Sequence, residues 1–250
     1  MGRRIGSLAF WAFIVITSLL LFPVALLIFV ITAPFDPRRR ALHQFTCFWA
    51  SLYTWCNPLW RVHVEHRDRI DPDATYVMVA NHLSLLDILV LFRLFTNFAW
   101  VSKIENFKVP VIGWNMRLNR YIPLVRGDKE SAAVMMEQCR ATLQQGTSIM
   151  MFPEGTRSRD GQLQYFKPGA FELALQAELP ILPILVTGTG DALPKRGFVL
   201  KGKHRIGITV LAPIEPAAFG TDDPKQLAEQ VRDVIAAAGA DAGQSRQPEG

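Results

Sequence analysis

The chain lacks several features that would settle its class at once. It has three cysteines, Cys47, Cys56 and Cys139, with no CxxC pair and no metal-ligand spacing among them. An odd, scattered set gives no disulfide framework, so a reducing, cytoplasmic catalytic domain is expected. There is no internal repeat, which excludes solenoids and propellers, and no G-x-S-x-G elbow to present a serine nucleophile. Excess basic charge is also missing from most of the chain. Of the formal net charge of +5, the first 40 residues hold +4, from Arg3, Arg4, Arg38, Arg39 and Arg40 against Asp36. A basicity confined to one end suits a membrane surface better than a nucleic-acid footprint.

The longest absence is of charge itself. From Ile5 to Phe35 no side chain is charged. As one helix that run would measure roughly 46 Å, against about 30 Å for a bilayer core. It is too long for a secretory signal, and no A-x-A-like site closes it. Pro23 lies inside it, so two geometries are open: a spanning helix, or a re-entrant hairpin bent at the proline. The triple arginine after the run puts the remainder of the chain on the cytoplasmic side, as in a bacterial inner-membrane protein. Residues 42–60, with Phe45, Phe48, Trp49 and Trp55, read as an aromatic interfacial helix with its apolar face at 45, 48, 49, 52 and 56.

Beyond residue 60 the pattern changes. β-Rich runs at 61–65, 75–80, 98–102, 121–125, 148–152, 182–187 and 205–211 alternate with helical stretches at 85–95, 129–145, 167–177 and 223–238. Such alternation predicts an α/β fold, a mostly parallel or mixed sheet flanked by helices, behind an N-terminal membrane-anchoring helical segment. The expected organisation is an anchor at 1–60, a catalytic domain at 61–238 and a disordered tail at 239–250.

Four polar clusters each come directly after the end of a predicted strand: Asn81–Asp87, Lys103, Arg126 and Phe152–Ser158. Parallel strands would gather all four at one carboxyl edge, where open α/β sheets bind ligands. His82 is a candidate general base and Asp87, five residues on, its orienting partner. Within one helix, positions five apart diverge by about 140°. The pair therefore meets only if His82 precedes the helix and the backbone turns back, with Ser84 supplying a capping-box-like turn. Arg126, Arg157 and Lys103 suit an anion, and Gly155 allows close backbone approach. A base with no protein nucleophile points to direct attack by a substrate hydroxyl.

Asn81-His82-x4-Asp87, together with an intact Phe152-Pro153-Glu154-Gly155-Thr156-Arg157-Ser158, resembles the glycerolipid acyltransferase family. Tyr121–Arg126 resembles its second block, with Val125 where many members carry aspartate. Leu179–Ile184 resembles its fourth block, and Lys167-Pro168-Gly169-Ala170 the segment after the third. The likeness spans roughly residues 60–215. It implies transfer of an acyl group from acyl-CoA or acyl carrier protein to lysophosphatidic acid, forming phosphatidic acid in phospholipid biosynthesis. By the same resemblance His82 and Asp87 are catalytic, and Arg126, Glu154, Gly155, Thr156, Arg157 and Lys103 bind substrate. It implies no metal and no cofactor beyond the thioester donor; the partners are membrane lipids and the lysophospholipid acceptor, not nucleic acid. Three alternatives stand beside it. One is the same chemistry on another lysolipid, such as a lyso-ornithine lipid. Another is a metal-dependent phosphohydrolase using His82, Asp87 and Glu154. The third is a non-catalytic lipid-binding protein. For Phe107–Met116, ordinary packing is expected ahead of a role in lining an acyl channel.

Overall fold

A computed structural model describes residues 2–158, 160–195 and 198–244. Seven strands form one sheet in the order β1-β7-β6-β2-β5-β3-β4. They are β1 (Trp60–Glu65), β2 (Val77–Ala80), β3 (Phe98–Lys103), β4 (Ile122–Leu124), β5 (Ser148–Met151), β6 (Ile181–Thr187) and β7 (His204–Val210). Each matches a predicted run to within two residues. All neighbouring pairs are parallel except β6 with β7. The central strands β2 and β5 are buried at every position, as strands covered on both faces must be. Outer β1 and β7 alternate buried with more exposed residues.

Eight α-helices accompany the sheet among the described residues: α1 (Gly2–Thr32), α2 (Arg40–Trp55), α3 (Leu86–Leu91), α4 (Ile112–Leu118), α5 (Lys129–Gln144), α6 (Gly169–Ala177), α7 (Thr189–Ala192) and α8 (Pro224–Gln244). The chain steps from β2 to β3 to β4 in one direction along the sheet, then back from β4 to β5 to β6. Right-handed crossovers in opposite directions lie on opposite faces. Thus α3 and α4 cover one face, while α5 and α6, joined by α8, cover the other. Neighbouring β2 and β5 consequently send their chains to opposite faces, which opens a crevice at their carboxyl ends.

The N-terminal segment differs from one of its two expected geometries. Pro23 lies inside a single uninterrupted helix, so α1 is not a hairpin. Among the described residues it is the one helix long and apolar enough to cross a membrane. Phe10, Phe13, Ile14, Leu21 and Phe22 pack against a cluster built on Leu42, Trp49 and Tyr53 of α2. Contacts continue along the helix: the Leu200 N–H donates to Ser7 Oγ at 2.9 Å, and the Phe22 ring lies 5.5 Å from Trp114. The other face leaves Leu8, Val15, Leu19, Leu20, Leu27 and Val30 exposed.

Helix α2 buries a different face from the one its apolar periodicity predicts. It is wedged between α1 and the domain, and the face it buries carries Leu42, His43, Thr46, Cys47, Trp49, Ala50 and Tyr53, while Phe48 and Trp55 point outward. Apolar periodicity missed that face because half of it is polar and internally satisfied. His43 Nε2 donates to the Thr96 carbonyl at 3.0 Å and Nδ1 accepts from Tyr121 Oη at 2.9 Å. Thr46 Oγ1 accepts from both Asn115 and Asn119. Cys47 and Ala50 belong to the main core, so part of α2 packs with the residues beyond 60. At the other end α8 runs to Gln244, where a tail was expected from 239; residues 245–250 lie outside the described residues.

Burial lowers the His43 pKa from 6.5 to about 4. Below pH 6.5 the unfolded chain binds a proton that the folded chain refuses, so this stability is full above that value and falls as pH drops toward 4. The loss is on the order of 3 kcal/mol once both forms are protonated. Ring nitrogen shifts at about pH 5.5 should report a neutral imidazole; a protonated ring there would contradict the buried network.

Candidate active site

β2 ends in the fully buried Ala80, and the next residue extends the sheet by side chain instead of main chain. Asn81 Oδ1 accepts from the Val186 N–H at 2.7 Å, and Asn81 Nδ2 donates to the Val186 carbonyl at 2.9 Å. This ties the exit of β2 to β6 and fixes where His82 leaves the sheet. Helix α3 begins four residues later, at Leu86. The turn between them brings His82 Nδ1 to 2.8 Å from Asp87 Oδ2. The expected contact is therefore present, and it arises because His82 lies before the helix.

Ser84 acts differently from a simple cap. Its Oγ donates to the Leu193 carbonyl at 2.6 Å and accepts a long bond from the Leu86 N–H at 3.3 Å. The carboxylate does more of the capping. Asp87 Oδ2 accepts from the backbone N–H groups of Leu83 at 2.6 Å and Ser84 at 2.8 Å, while Oδ1 accepts from Thr189 Oγ1. Asp87 is fully buried, so these donors replace the water it gave up. A carboxylate oxygen can only accept. Nδ1 of His82 therefore carries the proton, and Nε2 keeps a lone pair.

Thr189 was not among the predicted residues. It opens α7, one residue beyond Gly188, whose φ is +80° and where a Cβ would sit 2.2 Å from the Arg205 carbonyl oxygen. Only glycine fits that turn. The signal was available: β6 ends at the same carboxyl edge as β2, so the rule applied to the other strands would have singled out the residues after Thr187.

The loop after β5 closes over His82. Phe152 stacks on the imidazole, with centroids 3.9 Å apart and planes at 10°. The Ser158 N–H donates to the His82 carbonyl at 2.8 Å. Glu154 Oε1 accepts from the His82 N–H at 2.7 Å, and Oε2 from the Gln164 N–H at 3.2 Å. Both carboxylate oxygens thus face main-chain donors within the protein. Burial raises the Glu154 pKa, and the nearby Asp87 charge adds to the rise; the two N–H donors and Arg232 oppose it. Gly155 takes a positive φ of +68°, with the Lys167 ammonium packed over it. Thr156 is exposed, and the Arg157 carbonyl accepts from Lys195 Nζ.

A cavity of about 440 Å³ leads from His82 along the sheet beneath α1 and α2. Its lining includes Trp11 and Ile14 of α1, Trp49 and Tyr53 of α2, Lys103 as the last residue of β3, and Arg126 two residues beyond β4. Lys103 pairs with Glu105 at 3.0 Å across solvent, and Arg126 is exposed. The structure therefore brings Lys103 and Arg126 to the cavity that His82 lines; Arg157 lies on the loop above and not in that lining. From 107–116, Val109, Ile112, Asn115 and Met116 also line the cavity, whereas Phe107 is buried in the core. That departs from the packing role expected for the segment. Among the described residues, no three or more His, Cys, Asp or Glu side chains converge as metal ligands.

The sequence pattern of the Acyltransferase family matches residues 61–187. A 1-acyl-sn-glycerol-3-phosphate acyltransferase of Chlamydomonas reinhardtii is 34% identical over 235 residues, 93% of this chain and 69% of that protein. The chloroplastic 1-acyl-sn-glycerol-3-phosphate acyltransferase LPAT1 of Arabidopsis thaliana is 38% identical over 69% of this chain, which spans about half (49%) of that longer protein. The crystal structure of the 1-acyl-sn-glycerophosphate acyltransferase PlsC from Thermotoga maritima superposes with a TM-score of 0.77 at 22% identity, covering 99% of this chain and all (100%) of that one.

Proposed function

The chain belongs to the acyltransferase family, and we propose on that basis that it is a 1-acyl-sn-glycerol-3-phosphate acyltransferase, moving an acyl group from a thioester donor to the free hydroxyl of lysophosphatidic acid. The observation that carries the reading is the His82–Asp87 contact on the wall of an apolar cavity. A base beside a slot lined by tryptophans and aliphatic side chains suits a substrate that is a long hydrocarbon at one end and an alcohol at the reacting atom.

Each step uses a residue already in place. His82 Nε2 takes the proton of the acceptor hydroxyl as its oxygen attacks the thioester carbonyl. The tetrahedral intermediate collapses, the C–S bond breaks, and the imidazolium returns the proton to the leaving thiolate. Asp87 holds the tautomer and stabilises the transient cation. No covalent enzyme intermediate is required. Arg126, Arg157 and Lys103 bind the phosphate by charge-assisted hydrogen bonds, with Gly155 and Thr156 shaping the loop that faces it. The exposed apolar face of α1 rests in the bilayer from which the acceptor is drawn, and the exposed Arg38 and Arg40 contact anionic headgroups on the cytoplasmic side. Because α1 is packed on the domain from Ser7 to Phe29, about 33 Å of helix, we place it along the membrane surface and not across it.

The test is acceptor choice. Purified protein given one acyl thioester and a panel of lysolipids should prefer the phosphate monoester headgroup. Arg157→Ala should raise the KM for lysophosphatidate roughly ten- to hundredfold, as expected for loss of one charge-assisted hydrogen bond at about 1.5–3 kcal/mol. Equal use of lysophosphatidylcholine by wild type, with Arg157→Ala kinetically silent, would point to another acceptor.

A further inference from the structure

Glu154 lies in the FPEGTRS segment, and its resemblance-based role was to bind substrate. Its surroundings argue for another. The residue is 5% exposed, and each carboxylate oxygen already accepts a main-chain N–H, from His82 at 2.7 Å and Gln164 at 3.2 Å. A second anion placed against it would meet like charge in a poorly solvated site.

The contacts continue outward to a residue beyond the matched family region. Arg232 of α8 donates through Nε to the Gln164 carbonyl at 3.2 Å and through a terminal nitrogen to the Leu163 carbonyl at 3.4 Å. The guanidinium thus grips two successive carbonyls of the stretch whose N–H holds Glu154. On the inner side, His82 is clamped at both ends, its N–H by Glu154 and its carbonyl by Ser158. Its side chain is held by Asp87 and backed by Phe152.

We propose that Glu154 is a positioning residue that fixes the main chain of His82, and that Arg232 on the C-terminal helix holds Glu154 in place through Leu163 and Gln164. The inference rests on the reading of His82 as the base. A base displaced by about 1 Å loses ~10²-fold in rate, so a clamp on its backbone acts on turnover and leaves acceptor affinity alone. The chain of contacts is Arg232 to the 163–164 carbonyls, Gln164 to Glu154, Glu154 to His82.

The experiment measures kcat and acceptor KM for Glu154→Gln, Arg232→Ala, Arg232→Lys and the double variant Glu154→Gln/Arg232→Ala, well below each protein's Tm. In Glu154→Gln one acceptor oxygen survives, but the amide nitrogen faces an N–H donor. Its kcat should fall tenfold or more with acceptor KM within about twofold. Arg232→Ala should lower kcat several-fold, Arg232→Lys should recover most of it, and the double variant should be no worse than Glu154→Gln alone. A tenfold rise in acceptor KM at unchanged kcat in Glu154→Gln would make Glu154 a substrate ligand and overturn the proposal. So would a lowered Tm with both constants unchanged. If wild type acylates no lysophosphatidate, the proposed function fails; the clamp is then judged by hydrogen exchange at the His82 amide. Glu154→Gln should speed that exchange at least tenfold, and unchanged exchange would overturn it.

Discussion

Replacing His82 by alanine should reduce turnover by about 10²–10⁴-fold while leaving acceptor binding and fold intact. That range is typical for loss of a general base. The side chain is 10% exposed and lies on the cavity wall, stacked on Phe152. Its removal leaves room at a surface and does not hollow the centre of the core. The variant should therefore retain a Tm close to wild type, and the defect should appear in kcat. A His82→Ala protein that keeps most of its kcat would remove the histidine from the chemistry.

The second large effect is expected at Asp87, and it has two components. Asp87→Asn presents an amide where four donors converge: His82 Nδ1, the N–H groups of Leu83 and Ser84, and Thr189 Oγ1. If the amide nitrogen turns toward the ring, Nδ1 must accept, the proton moves to Nε2, and the base is lost; the equivalent change in a serine-hydrolase triad costs ~10⁴-fold. If it turns toward Thr189, the hydroxyl can rotate to accept, but the backbone donors still lose the charge they were paired with. That second component should lower stability by about 1–3 kcal/mol, the cost of weakened hydrogen bonds to a buried charged group. A kcat loss of ~10⁴-fold reports the amide turned toward the ring, the orientation toward Thr189 gives a smaller loss, and either lowers Tm by several degrees. A variant with wild-type activity and a lowered Tm would make Asp87 a helix cap alone.

Much of this was legible before the fold was known. The seven strands could be read because β-branched and apolar residues dominate each run and polar turns bound it. The gathering of His82, Lys103, Arg126 and the 152–158 loop at one edge needed a single assumption, parallel strands, and the register β3 with β4, β3 with β5 and β2 with β5 meets it. The features that escaped the sequence share a physical character. The buried face of α2 is half polar, and its hydrogen bonds run to Thr96, Asn115, Asn119 and Tyr121, far along the chain. Hydropathy cannot see a polar group that has found its partner. Thr189 and Arg232 escaped for the same reason: each acts on the His82 region from 102 and 68 residues' distance from its bonding partner, and neither lies in a motif. Glu154 was found by motif, but the backbone contacts of its carboxylate were not, since the direction a carboxylate faces is a property of the folded loop.

The most direct measurement tracks the acyl group itself. Purified protein, treated with chelator, is given lysophosphatidic acid and an acyl thioester labelled in the acyl chain, as the CoA ester and separately as the carrier-protein ester, and the products are identified by mass spectrometry. Direct transfer with His82 as base predicts labelled phosphatidic acid formed in step with free thiol, undiminished by the chelator and abolished in His82→Ala. Release of inorganic phosphate that the chelator stops, with no label reaching the lipid, would contradict it.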